Sequence, residues 1–495
     1  MIRSPDSVTG PIPDSLAASR KLFRAVAVTA MLWAAGMAGC WIIGIEPIYA
    51  HPAPFYAMWY PAGIAGLFIA VLAWLWWMFG ARLVCGRFPS IPGRPDTEPA
   101  WRGVAAMAVL LISFTLLTAS VRGVSGIWQA YSRETYEVVG DIGKASSIPM
   151  FFRRYLEIQP WLSMHGKVHP PGPASLLWLF SYVAGRSAPG LAVATVFFGA
   201  LSVPFMWLWC RRAAGKITAR AAALLFACMP SVVLFGAVSA DFLFLPVTVG
   251  TLWLFHEAMR RRGHMLWSAA AGAGYAAMAL LKYSLPAVGI WFGIVGLLAL
   301  RRPGGLRVVC RAAAVMGTVS LGLLLAVYWA TGFNYLEGLA RAAEQFRTDQ
   351  RHLDLLTPRY PGWTFQVLFN PLTFFYFAGF PVSLLALAYW FRRISARARR
   401  MRLTGSRVSR WVFTLTPGEI ALASLVTALV LNALYLARGE GERSALYLFP
   451  FLALPAARMM AVICRRVRSD APLITATLLM AAQTVVTEYL FYTYL

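Results

Sequence analysis

From Ala221 to Phe255 the chain reads AAALLFACMPSVVLFGAVSADFLFLPVTVGTLWLF, and Asp241 is its only charged residue. Two apolar runs, 221–239 and 242–259, meet at this aspartate. Each is close to the roughly 20 residues that an α-helix needs to cross a bilayer. No loop-like stretch surrounds Asp241, so it belongs at the outer end of two adjoining spans. An unpartnered ionisable group at such depth costs a few kcal/mol and is a functional hypothesis by default. A side chain this short cannot snorkel to water as a lysine does.

The rest of the chain repeats the pattern. Of its 495 residues 59% are hydrophobic and 13% charged, with a mean hydropathy of +0.62. A soluble domain carries about twice that share of charge, and 31 Phe, 19 Trp and 19 Tyr exclude disorder. Further apolar runs fall at 25–49, 58–80, 103–121, 190–210, 265–281, 284–300, 312–330, 366–390, 412–436, 445–463 and 471–494. The expectation is an all-α polytopic membrane protein with about thirteen transmembrane helices.

The net charge of +25, from 45 Lys+Arg against 20 Asp+Glu, does not mark a nucleic-acid binder, because the basic residues sit between apolar runs. Arg211, Arg212 and Lys216 form one such cluster, Arg260 to Arg262 another, and the densest lies between Arg392 and Arg410. Basic loops of this kind face the cytoplasm and its anionic lipids. The segment 173–185 is too short to cross. If it crossed together with 190–210, every later basic loop would be inverted, so it is expected to be re-entrant or to lie along the surface.

Cys40, Cys85, Cys210, Cys228, Cys310 and Cys464 form no CxxC, so neither a zinc site nor a disulfide framework is indicated. The N-terminus carries no cleavable signal by pattern, since 4–19 is polar and the first apolar run is too long for a signal core. No Walker or dinucleotide motif is present in a strand–helix context.

Acidic residues gather on the expected outer face, where two long loops, 122–171 and 331–364, and a short charged turn, Arg438 to Arg443, are placed. The first loop holds Glu134, Tyr136, Glu137 and Asp141, then an amphipathic stretch with Arg153, Arg154 and Glu157, then His165-Gly-Lys167-Val-His169-Pro-Pro-Gly172. On a helix Glu137 and Asp141 would share a face, and such crowding can raise one carboxyl into the range of a base. His165 and His169 have the i,i+4 spacing of a zinc pair, but the HExxH glutamate is missing and Pro170 breaks the helix. Lys282 stands between two apolar runs as Asp241 does, and snorkelling alone would also account for it. The second loop mixes charge and aromatic residues around Arg347 to Trp363. Arg443, at the membrane surface, is a good phosphate ligand by chemistry.

Taken in order, these pieces resemble the GT-C superfamily of integral membrane glycosyltransferases, which includes protein O-mannosyltransferases and the aminoarabinose transferase of lipid A. The resemblance rests on Glu134-Thr-Tyr136-Glu137 after an early span, His169-Pro170-Pro171-Gly172 opening a helix, the lone Asp241, Lys282 between short helices, an outer loop before an aromatic span, and Tyr447-Leu-Phe-Pro-Phe451. It covers about residues 103–465, with a cytoplasmic tail 1–24 and two extra spans (25–102) before it and a last helix (466–495) after it. The family's usual Asp-Glu pair is absent; Tyr131-Ser132 stand near its place.

The resemblance implies a polyprenyl-phosphate-linked sugar as donor and a glycan, lipid or protein acceptor on the periplasmic or extracellular side of the inner or plasma membrane. It further implies inversion at the anomeric carbon. Asp141 is the first candidate for the base, then Glu137 and Glu134. Lys167, His169, Lys282 and Arg443, with Arg153 and Arg154, are candidates to hold the donor phosphate. Asp241, with His165 and Tyr136, would orient the acceptor, the base or an optional divalent cation. The competing expectation is a transporter or flippase of an anionic lipid-linked sugar, using the same basic residues without covalent chemistry.

Overall fold

The computed structural model describes residues 15–42, 59–87, 100–356, 362–403, 415–434, 443 and 445–491. Almost every described residue outside the connecting loops is helical, and among the described residues the one β-contact is an isolated bridge between Trp59 and Phe491. Among the described residues eight helices are long and apolar enough to cross a membrane, or ten if each of two bent pairs is one span. That is fewer than the thirteen expected from the runs; three of the remainder (Met265–Leu281, Leu285–Leu300 and Pro417–Ala433) are apolar but shorter.

Local chemistry explains where the runs and the helices differ. The run 221–239 is bent by 50° between Lys216–Ala227 and Pro230–Val238, since Pro230 has no N–H to continue the first helix. The run 366–390 is not one straight helix: it turns by 113° between Phe377 and Phe380, where Gly379 adopts φ 86°, a conformation that glycine reaches without steric cost. At the start, helix Ser15–Ile42 begins ahead of the apolar run, so Arg20, Lys21 and Arg24 lie within the helix. The segment 331–364, read from the sequence as a long connecting loop, contains a long helix, Tyr335–Leu356.

The helix Gly172–Ala184 has 13 residues, about 20 Å at 1.5 Å per residue, against a ~30 Å hydrocarbon core. It ends at Gly185, and the span Ala188–Ala214 follows it directly. Helix Pro230–Val238, apolar on all sides, is buried throughout, as a helix without a polar face should be. Helices Gly63–Arg87 and Gly305–Thr331 instead leave most of their apolar surface outward, toward what would be lipid.

Candidate active site

Glu137, His165, His169, Asp241, Lys282 and Arg443, far apart in sequence, meet in one cluster. Lys282 Nζ lies 2.7 Å from Asp241 Oδ1, and Arg443 Nε lies 3.8 Å from Asp241 Oδ2. Arg443 also reaches Glu137, with Nη1 3.5 Å from Oε1, and its Nη2 donates to His165 Nε2 at 2.8 Å. His169 Nε2 is 3.9 Å from Asp241 Oδ1. A cleft of about 230 Å³, counted to its open mouth, is lined by Glu137, His165, His169, Ser239, Asp241 and Phe244 among others.

Each group is held by its own local structure. Ser239 accepts the Asp241 N–H at 3.1 Å, and its hydroxyl donates to Asp241 Oδ2 at 3.1 Å. Capping of this kind is what serine does at a helix start, and it aims the carboxylate into the cleft. Lys282 follows the last residue of Met265–Leu281, and its ammonium stands 5.3 Å over the Phe244 ring. The His169 ring stacks on the same phenyl at 5.9 Å, so Phe244 forms a floor shared by a cation and an imidazole.

Gly172 explains the His-Pro-Pro-Gly start. A Cβ there would overlap the Leu280 carbonyl, so only glycine lets the chain pack onto the turn that presents Lys282. His169 and Lys282 thereby come to face the same aspartate.

The loop before it is organised differently from the helical arrangement expected. Residues 120–141 form a series of 3₁₀ turns, so Glu137 and Asp141 do not share a helix face. Glu137 faces the cleft. Asp141 is fully buried outside the cleft lining and is already engaged: it accepts the Ser163 N–H and O–H, both at 2.7 Å, and the Lys144 ammonium at 2.9 Å. Ser163 in turn accepts the Gly166 N–H at 3.0 Å and so caps the short helix Met164–Val168 that carries His165. Backbone bonds from Met164 N to Thr135 O and from His165 N to Tyr136 O, both 3.0 Å, join the two halves of the loop. Tyr136 lies edge-on to His165 at 4.8 Å.

The other nominated residues stand apart. Glu134, Arg153 and Arg154 are exposed, and Arg154 pairs with Glu157 on its own helix at 2.7 Å. Lys167 is half-buried and does not line the cleft; its carbonyl accepts from Gln159 Nε2 at 2.8 Å. Tyr131, near the place of the missing acidic pair, is buried and donates to Thr195 Oγ1 at 2.8 Å. Arg438, Glu440 and Glu442 lie outside the described residues.

Sequence reasoning passed over Ser239, Ser163, Phe244, Tyr155 and Gln159. Tyr155 and Gln159 carried a usable signal, since with Phe151 they recur every four residues, as one face of a helix does. That face of Ile148–Ile158 supports the His165–His169 segment, the Tyr155 hydroxyl donating to the Gly166 carbonyl at 3.0 Å and also reaching the His169 carbonyl.

Both histidines are neutral. Burial first, then the Lys282 ammonium, push His169 down to about 4 against the opposing pull of Asp241. Burial and the Arg443 guanidinium put His165 well below its ordinary value. His169 Nδ1 is 2.9 Å from the His165 carbonyl; it can only donate there, which leaves Nε2 as a lone-pair acceptor toward the cleft. The cluster is thus two carboxylates, two fixed cations and two neutral imidazoles. For a resident divalent cation the donors do not fit: among the described residues no three His, Cys, Asp or Glu side chains converge on one point, and Asp241 already pairs with Lys282.

An all-α polytopic bundle with this cluster at the mouth of its helices is what the resemblance to GT-C membrane glycosyltransferases implies, and a family comparison supports it. Residues 168–329, which carry His169, Asp241 and Lys282, match the model of the dolichyl-phosphate-mannose-protein mannosyltransferase family. Among solved structures the chain is similar to an oligosaccharyltransferase of Archaeoglobus fulgidus, solved with zinc and sulfate, at 16% identity and a TM-score of 0.44 over 76% of this chain and 53% of that one. It is also similar to ArnT from Cupriavidus metallidurans in the apo state, at 12% identity and a TM-score of 0.44 over 79% and 78% of the two chains. The present chain therefore spans about half the length of the archaeal protein. Among curated proteins none matches the sequence.

Proposed function

We propose that the protein is an inverting glycosyltransferase that moves a sugar from a polyprenyl-phosphate carrier to an envelope acceptor on the outer face of the membrane. The observation that carries this reading is the pairing of two fixed cations, Lys282 and Arg443, with two carboxylates, Glu137 and Asp241, in one cleft. Breaking the bond between an anomeric carbon and a phosphate oxygen leaves an anion, and fixed cations are the means of stabilising it in a water-poor site.

Glu137 is the base in this reading. It faces the cleft, whereas three donors already occupy Asp141. Its carboxylate takes the proton of the acceptor hydroxyl, whose oxygen attacks the anomeric carbon. The carbon–oxygen bond to the carrier breaks on the opposite side, the electron pair stays with the phosphate, and Lys282 and Arg443 hold the departing polyprenyl phosphate. Asp241 keeps both cations in place and His169 Nε2 accepts an acceptor hydroxyl, so the nucleophile is aligned before it reacts. Asp141 acts through the loop by anchoring Ser163.

The test is transfer from a synthetic polyprenyl-phosphate sugar into membrane extract, with Glu137→Gln and Asp141→Asn compared at equal expression. Glu137→Gln is expected to lose about 10²–10⁴ in rate, the usual contribution of a positioned base, with normal folding. Full activity in Glu137→Gln removes that residue from the role, and lipid flipping without any glycosylated product favours a transporter.

A further inference from the structure

A second charged cluster lies at the other end of the same spans. Asp241 begins the span Ala240–Arg260, and Arg260 ends it, about 30 Å away at the α-helical rise. There Glu257, only 1% exposed, is surrounded by three guanidinium groups. Arg212 Nε is 2.9 Å, Arg260 Nη2 2.8 Å and Arg261 Nε 3.1 Å from its oxygens. One carboxylate against three arginines leaves two positive charges in excess, and the arginine side chains are 45%, 33% and 43% exposed. Among the described residues neither Arg212 nor Arg261 pairs with an acceptor other than Glu257, so their guanidinium forks keep donors available to a ligand.

The surroundings indicate what those forks meet. The Arg261 guanidinium stands 4.8 Å over the Trp267 ring, and the neighbouring Leu266 is 69% exposed at the start of an apolar helix. Tryptophan beside arginine at the end of an apolar helix marks the membrane–water boundary. A ligand there presents its anion from the bilayer surface and its apolar part to Leu266.

We infer that Arg212, Arg260 and Arg261, organised by Glu257, form a binding site for the phosphate of an anionic phospholipid, distinct from the candidate active site. The guanidinium forks match phosphate oxygens bidentately, and the excess charge supplies the attraction that a zwitterionic lipid does not satisfy. Glu257 has an organising part: it draws three mutually repelling cations into one patch spanning the ends of two helices.

The experiment counts lipid bound to the full-length protein in a zwitterionic detergent by native mass spectrometry. Phosphatidylglycerol is titrated against phosphatidylcholine, and inorganic phosphate is added in a separate arm. Phosphatidylglycerol alone is expected to bind, and Arg212→Gln/Arg261→Gln to weaken it on the order of tenfold or more. The equal-charge control Arg465→Gln/Arg466→Gln, altering exposed arginines elsewhere, is expected to leave binding within about twofold. Should the first double variant misfold, Arg261→Gln alone gives the same comparison, because Glu257 keeps two arginines. Equal losses in both double variants, equal binding of the two lipids, or displacement of the lipid by inorganic phosphate would each overturn the proposal.

Discussion

Lys282 Nζ sits 2.7 Å from Asp241 Oδ1, and the 40 residues between them are mainly two consecutive helices, Phe244–Arg260 and Met265–Leu281. The pair therefore fastens the cleft-side ends of Phe244–Arg260 and Met265–Leu281 while it charges the cleft. Removing one partner of a buried pair leaves an uncompensated charge and costs about 3–5 kcal/mol, whereas replacing both by apolar or neutral groups costs much less. Lys282→Met and Asp241→Asn are each expected to lower the unfolding midpoint in detergent. The double variant is expected to be more stable than the sum of the single losses predicts. Strict additivity would show that the contact carries no coupling. Sugar transfer is expected to stay low in all three, since Lys282 is proposed to hold the leaving phosphate and Asp241 to keep Lys282 and Arg443 in place.

Glu137 and Asp141, two of the four acidic residues in the loop 122–171, separate by a different measurement. Glu137 lies in the cleft, while Asp141 ties Ser163 and Lys144 together. Glu137→Gln is expected to cut transfer with little change in stability. Asp141→Ala strands the buried Ser163 N–H and O–H, and each unsatisfied group costs about 1–3 kcal/mol. It is therefore expected to lower both stability and activity, with limited proteolysis nicking the loop near Ser163 first. An Asp141→Ala protein as stable as the parent would remove the anchoring role.

Much of this arrangement was legible beforehand, and the reason is chemical economy. A single carboxylate between Ala221 and Phe255 has no bland explanation in a bilayer, and Asp241 is the centre of the cluster. Lys282 was legible for the same reason, Arg443 as a guanidinium at the membrane surface, and His169 through the His-Pro-Pro-Gly helix start. Spacing misled where it presumed a helix: Glu137 and Asp141 are four residues apart, but 3₁₀ turns send them to different surroundings. The length of an apolar run could not reveal the 113° turn at Gly379, because a break of so few residues barely changes hydropathy. Ser239, Ser163 and Phe244 were invisible because their roles are defined by neighbours distant in sequence.

Two glycines supply a graded test of how tightly the cleft is built. A Cβ at Gly166 would overlap the Asp141 carboxylate, and one at Gly172 would overlap the Leu280 carbonyl. A side chain can swing aside; a backbone carbonyl within a helix cannot. Overpacking of a buried contact typically costs about 1–3 kcal/mol, so Gly172→Ala is expected at the upper end of that range and Gly166→Ala lower. Gly172→Ala should also impair transfer more, because it lifts His169 away from Lys282. Unfolding midpoints and initial rates for the two variants provide the check, and the reverse order would contradict the close approach at Leu280.

The neutral histidines make the outer loop sensitive to acid in a defined direction. His169 binds its proton near pH 4 in the folded protein, against about 6.5 when unfolded. Between those values the unfolded chain binds more protons, so stability rises with pH there and is flat above. Acidification from about pH 6.5 toward pH 4 should therefore progressively remove up to roughly 3 kcal/mol through His169. His165, lowered by burial and by Arg443, titrates in the same sense. Its protonation takes away the lone pair that accepts from Arg443 Nη2 and sets two cations face to face. The basic groups Arg443 and Lys282 repel the added charge and the acids Asp241 and Glu137 attract it, and the lowered values mean that burial and repulsion prevail. Unfolding midpoints measured across this range should fall as the pH is lowered in the parent, and a His169→Gln variant should show a shallower slope. Equal slopes in the two proteins would mean that His169 is not the group held neutral by the fold.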